Sequence, residues 1–197
     1  MPNAKVINKW NGTAWLDPQD GVGGLAQIAD NDPLRATYSL FLGSFGPAAT
    51  PTDILQIQGS ATTIVKVRQI VITGTATAAS NILPTLVRRS TAATAGTPTV
   101  QTLQKRDTGS NAATAVVSSF AANPAPVGTL VATVDGGRLN IAPAANGGID
   151  RLVFQYSWLN DQALTLRGTS DFLCFNLGGG AWPAGGLLDI SIVLTEE

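Results

Sequence analysis

The sequence predicts an all-β protein: an antiparallel β-sandwich, of jelly-roll type ahead of an immunoglobulin-like one, preceded by an extended N-terminal arm. Three observations carry this. Apolar residues recur at every second position in short runs, the period of a strand with one buried face. Pro and Gly separate these runs at intervals of roughly ten residues, as in sandwiches and barrels. Ala, Thr and Gly are abundant in stretches such as TGTATAAS and STAATAGTPT, which suit small-residue strands and loops rather than amphipathic helices.

Residues 1–36 are assigned to the arm and 37–197 to the sandwich. The stretch NKWNGTAWLDPQDGVGGLAQIADNDPLRA is rich in Asn, Asp, Gly and Pro and holds no sustained period of two or 3.6. Trp10, Trp15 and Leu16 are its candidate anchors, large apolar side chains of the kind that interfaces bury.

From Tyr38 the period is two. TYSLFLG sets Tyr38, Leu40 and Leu42 against Ser39 and Phe41, and DILQIQG sets Leu55 and Ile57 against Gln56 and Gln58. In TTIVKVRQIVIT, Val65 and Val67 share a face while Ile70 and Ile72 continue on the opposite parity, which predicts a bulge or bend near Arg68 and Gln69. LPTLVRR, GTLVATV and GRLNIAP are shorter strands, and the DGG at Asp135 to Gly137 reads as a hairpin turn between the last two. NAATAVVSSFAAN fits a helix and a strand equally. DRLVFQYSW aligns Leu152, Phe154, Tyr156 and Trp158, ALTLRG aligns Leu164 and Leu166, and LLDISIVLTEE aligns Leu188, Ile190, Ile192 and Leu194. The sum is about eight to ten strands, and two four-stranded sheets hold eight.

Composition narrows function. Only 13% of residues are charged, against roughly 25% in an average domain, and the formal net charge is −1. No basic stripe invites nucleic acid. The absence of His removes the usual general base, the commonest metal ligand and the usual pH switch. One Cys makes neither an internal disulfide nor a thiolate zinc site. The N-terminus lacks the apolar core of a secretory leader, and no apolar run is long enough for a transmembrane helix. The expectation is therefore a non-enzymatic chain without cofactor, metal, nucleic acid or membrane.

Four stretches resemble sites and weigh towards structure. RGTSDFLCFNLGGG holds Cys174, but its alternation makes it a strand running into a turn, and the thiol is flanked by Phe172 and Phe175 with no histidine in the chain to activate it. GVGGLA (Gly21 to Ala26) has loose dinucleotide-loop spacing without the strand and helix that give it meaning. Asp17, Asp20 and the DND at Asp30 to Asp32 offer oxygen ligands, yet Asn-Asp-Pro is turn chemistry. Arg88 and Arg89, with Lys105 and Arg106, read as solvated strand faces, with an acidic partner as the alternative. Trp182 sits at the tip of a Gly-rich loop.

The segments PTDILQIQGSATTIVKVRQIVITGTATAAS, LVRRSTAATAGTPT and LRGTSDFLCFNLGG, followed by LLDISIVLTEE, resemble small capsid decoration, or cement, proteins of tailed bacteriophages. The resemblance spans most of residues 38–197, including a central RRST, and leaves out the arm. It implies a β-sandwich that binds the outside of a phage capsid and stabilises the shell. Its partners would be the major capsid protein and further copies of itself. It also implies assembly in the host bacterial cytoplasm and residence on the virion surface. Interface candidates are Trp10, Trp15, Leu16, Arg88, Arg89 and Trp182. The rival expectation is a fibre-type module that binds receptors or carbohydrate through loop aromatics, Trp15, Trp158 and Trp182.

Overall fold

The computed structural model describes residues 35–143, 150–156 and 162–197, together with the backbone of two short strands nearer the N-terminus. Those two, β1 (Lys9–Trp10) and β2 (Trp15–Leu16), pair antiparallel with Trp10 opposite Trp15. By contacts the chain divides into Met1–Arg35 and Ala36–Glu197. The second unit is all β, with antiparallel sheets throughout.

Its strands are β3 (Ala36–Phe45), β4 (Asp53–Gln58), β5 (Ile64–Thr75), β6 (Ser80–Ile82), β7 (Thr85–Arg89), β8 (Pro98–Gln101), β9 (Gln104–Lys105) and β10 (Val116–Phe120). There follow β11 (Leu130–Gly136), β12 (Leu139–Ile141), β13 (Arg151–Gln155), β14 (Leu164–Arg167), β15 (Phe172–Asn176) and β16 (Leu187–Glu196). One sheet runs β11-β7-β15-β4-β10-β8 and the other β13-β5-β16-β3-β9, with β14 also on β5. The inner faces share one core. Leu55, Ile57, Leu86, Val117, Leu173 and Phe175 of the first sheet meet Tyr38, Leu40, Ile70, Ile72, Ile190 and Ile192 of the second. This is the sandwich that the alternating runs predict.

The pairing has a simple logic. β3 pairs β16, β4 pairs β15, β5 pairs β13, β6 pairs β12 and β7 pairs β11. The outgoing half of the domain is thus zipped antiparallel to the returning half, as a doubled ribbon that passes back and forth between the two sheets. β8, β9 and β10 form an insertion where the ribbon turns, and they widen both sheets beyond β4 and β3.

The parity switch in β5 is a real bulge. Val193 lies opposite Gln69 and Leu194 opposite Val67, which leaves Arg68 as the extra residue. The bulge also divides the edge of β5: β13 takes Gln69 to Thr73 and β14 takes Ile64 to Val67. Glu196, buried near the end of β16, accepts hydrogen bonds from the Thr114 and Ala115 amides and the Thr114 hydroxyl. It thereby fastens the insertion to the central strand.

Two local expectations differ. DGG does not close a hairpin: β11 belongs to a six-stranded sheet, whereas β12 pairs only with β6. Asp135 instead accepts the Tyr156 hydroxyl at 2.9 Å and the Gly136 amide at 2.8 Å, so the turn chemistry serves a corner between sheets. The ambiguous NAATAVVSSFAAN resolves as strand β10, whose β-branched Val117 is fully buried in the core.

Candidate functional site

Cys174, the chain's one cysteine, lies on β15. Strand β15 buries both faces: Leu173 and Phe175 point into the main core, while Phe172 and Cys174 join Val87 in a smaller cluster on the outer face. That outer face is covered by the segments 90–97 and 121–129, which bond to each other through Thr94, Ala125 and Pro126. Gly128 adopts φ +84° where a Cβ would collide with the Thr91 carbonyl. The Cys174 thiol is fully buried. Burial first, then the Asp53 carboxylate, push its pKa far above the usual thiol value. It is a buried core thiol.

Beside it lies an ion pair that the alternating pattern did not reveal. Arg89 donates through Nε and Nη2 to the two oxygens of Asp53, at 2.5 and 2.9 Å, and through Nη1 to the Gly128 carbonyl at 3.1 Å. The Asn176 amide donates to the same carboxylate at 2.6 Å. The Arg89 and Asp53 side chains retain 6% and 0% of their exposure. The hydrogen bond to Asp53 raises the Arg89 pKa further above its already high value. The solvated-face expectation for Arg89 is therefore corrected: its guanidinium is buried and paired within the domain. The signal was in β15, since a strand apolar on both faces has a covered outer face.

Arg88 points the other way along β7 and bridges the open end of the sandwich. Its Nη2 donates to the Thr165 carbonyl of β14 and lies 3.4 Å from Asp171. It borders a shallow cavity of about 230 Å³ with Gln162, Ala163, Leu164 and Thr165. Trp182 is half-buried against the main core, and its indole N–H donates to the Gly186 carbonyl at 2.9 Å. It is folded back to plug its own loop rather than held out at a tip, which corrects that expectation. Trp10, Trp15 and Leu16 lie on β1 and β2 as backbone alone. Trp158, Asp17, Asp20, the DND motif and GVGGLA lie outside the described residues.

Among the described residues, no three of His, Cys, Asp and Glu converge as a metal site requires. No helix among them is long and apolar enough to cross a membrane. The surface that stands out is apolar. Phe41 is 70% exposed, Val100 68%, Val131 61% and Leu130 56%. Phe41 occupies the outer face of the β13-β5-β16-β3 sheet. Register places it beside Ser191, then Val71, then Val153, in one row across four strands. Its ring lies over Gly43, where a Cβ would stand 2.9 Å from the ring edge. Flanking rows carry Ser39, Val193, Gln69 and Gln155 on one side and Asp189, Thr73 and Arg151 on the other. The face is broad, with an apolar row at its centre and one acid and one base, Asp189 and Arg151, in a flanking row. Comparison with protein-family models, with curated proteins and with solved structures finds no match for this chain.

Proposed function

We propose that this chain is a non-enzymatic structural protein of a tailed-phage virion, a decoration protein that binds the outside of the capsid and stabilises the shell. The observation that carries the reading is how charge is distributed. Arg89 with Asp53, Arg88 with Asp171 and Lys66 with Glu197 are paired within the domain, while apolar residues stand exposed on a sheet face and a sheet edge. A protein that works by contact needs such a stiff body and such uncommitted apolar surface. The resemblance of the Pro51–Ser80, Leu86–Thr99, Leu166–Gly179 and Leu187–Glu197 segments to cement proteins supplies the virion context. The doubled ribbon, with its five strand pairs matched first to last, supports the jelly-roll form of sandwich. In this reading the major capsid protein is the partner, and residues 1–36 act as an arm that laces into it.

The test is binding to undecorated capsids of the parent phage, by co-sedimentation, with the full chain and with residues 1–35 removed. Binding by the full chain that is lost on deletion, with the β-sheet circular dichroism retained, supports the reading. Failure of both forms to bind overturns it.

One observation favours a second reading, a glycan-binding module of a fibre. Asn81, Arg138, Asn140 and Asp150 form an exposed hydrogen-bonded cluster around the β6–β12 pair. Retention on glycan arrays in place of capsid binding selects it.

A further inference from the structure

We propose that the outer face of the β13-β5-β16-β3 sheet is the interface of a two-fold symmetric homodimer, in which Phe41 of each copy seats on Val153 of the other. Edge pairing is the obvious alternative, and the first sheet's edge is built against it. β11 carries two register shifts, between Leu130 and Ala132 and between Thr133 and Asp135, and such bulges interrupt the unpaired row of an edge strand. On the second sheet, β13 and β14 share one flank of β5 in two short pieces. The opposite edges, β8 and β9, are only four and two residues long, so the broad continuous surface is the face.

Its residue pattern selects one symmetry. In order across the sheet, one row reads Phe41, Ser191, Val71, Val153. A two-fold axis parallel to the strands, between β16 and β5, turns this row onto itself. Phe41 then faces Val153 of the second copy, and Ser191 faces Val71, so the bulky end of each row meets the slim end of the other. The next row reads Asp189, Thr73, Arg151. The same axis sets Arg151 of one copy above β3 of the other, next to Asp189, whose Oδ1 already leans towards β3 to accept the Ser44 amide at 2.7 Å. Two Arg–Asp pairs therefore form, one at each side. An axis perpendicular to the strands stacks Phe41 on Phe41 and sends Arg151 to Gln155, leaving the charges unmatched. Opposite charges placed to meet specify register and orientation.

The area suffices. Three strands roughly 30 Å long and the five-residue β13, roughly 17 Å, spaced about 4.8 Å apart, present roughly 500 Å² per copy, or about 1,000 Å² in total, the size that a specific interface has to reach. Stacking two such twisted faces at about −30° is the ordinary geometry of packed sheets.

This pairing is independent of any capsid and is tested without one, by sedimentation equilibrium of the full chain across micromolar concentrations. The expected result is a reversible dimer. Phe41→Lys weakens it by roughly thirtyfold or more, as loss of an aromatic anchor does. Arg151→Glu also weakens it, and Arg151→Glu combined with Asp189→Arg restores it, a rescue that a merely structural role would not produce. Circular dichroism confirms that each variant is folded. Three results overturn the proposal: a monomer at all concentrations; an oligomer that Phe41→Lys and Arg151→Glu leave intact; or a full-length monomer that dimerises once residues 1–34 are removed. The last would show that the chain's own N-terminal segment occupies the face.

Discussion

Replacing Arg89 by Ala tests how far the domain depends on the buried pair beneath the 90–97 and 121–129 segments. The substitution removes two charge-assisted bonds to Asp53 and one to the Gly128 carbonyl. It leaves a carboxylate with no exposed side-chain surface, still held by the Asn176 amide but without its counter-charge. Breaking a buried pair by removing one partner costs about 3–5 kcal/mol, because the orphaned charge is not rehydrated. That is a large part of the 5–15 kcal/mol that holds a typical domain, and it corresponds to a fall in Tm on the order of 10 °C. Urea unfolding followed by tryptophan fluorescence measures it, with an unchanged m-value showing that the transition remains the same one. The double variant Arg89→Met with Asp53→Leu separates the pair's net worth from the orphan cost. Replacing both charges with apolar groups is often neutral, so the double variant should be more stable than Arg89→Ala. A loss below about 1 kcal/mol for Arg89→Ala, the value of an exposed pair, would refute the reasoning.

Two further expectations follow from the titrating groups. Cys174, its pKa raised by burial and by Asp53, should resist thiol reagents at mildly alkaline pH in the folded protein and react only at the rate of unfolding; rapid stoichiometric labelling of the native chain contradicts this. Asp150 is held below the usual carboxylate range by the Asn140 and Arg151 amides, so its contribution is present above its unfolded pKa and fades only as pH falls through the lower, folded one. Amide chemical shifts of Asn140 and Arg151 should accordingly titrate with a midpoint below that of Asp in a peptide, and Asp150→Asn should abolish that titration.

Strand identity and facing were legible because a half-buried strand writes its burial into alternate positions. Leu40 against Phe41 and the switch at Arg68 follow from side chains alone, whereas β4 is buried on both faces and Gln56 is covered despite its polarity. What the alternation does not encode is which strand lies beside which. DGG looked like a hairpin because turn chemistry is local, whereas the partners of β11 and β12 are β7 and β6, distant in sequence. Arg89 looked solvated for the same reason: Asp53 lies on β4, on the far side of β15, and the covering segments come from elsewhere in the chain. The candidate face was half legible. Phe41 was read as pointing away from Leu40, but its alignment with Val71 and Val153 is a matter of register, which only the assembled sheet specifies.

The doubled ribbon has a kinetic consequence. β16 lies between β5 and β3, and its register sets Glu196 beside Ala36, so the sheet's central strand is contributed from the opposite end of the domain. Until β16 inserts, β3 and β5 are two unzipped strands with open hydrogen-bonding rows and exposed Leu40, Ile70 and Ile72. Closure of so long a loop precedes its reward, which places this domain among slow folders, in milliseconds to seconds rather than microseconds. During synthesis the second sheet cannot close before its last strand has left the ribosome, and nascent chains are most vulnerable to mutual strand exchange in that interval.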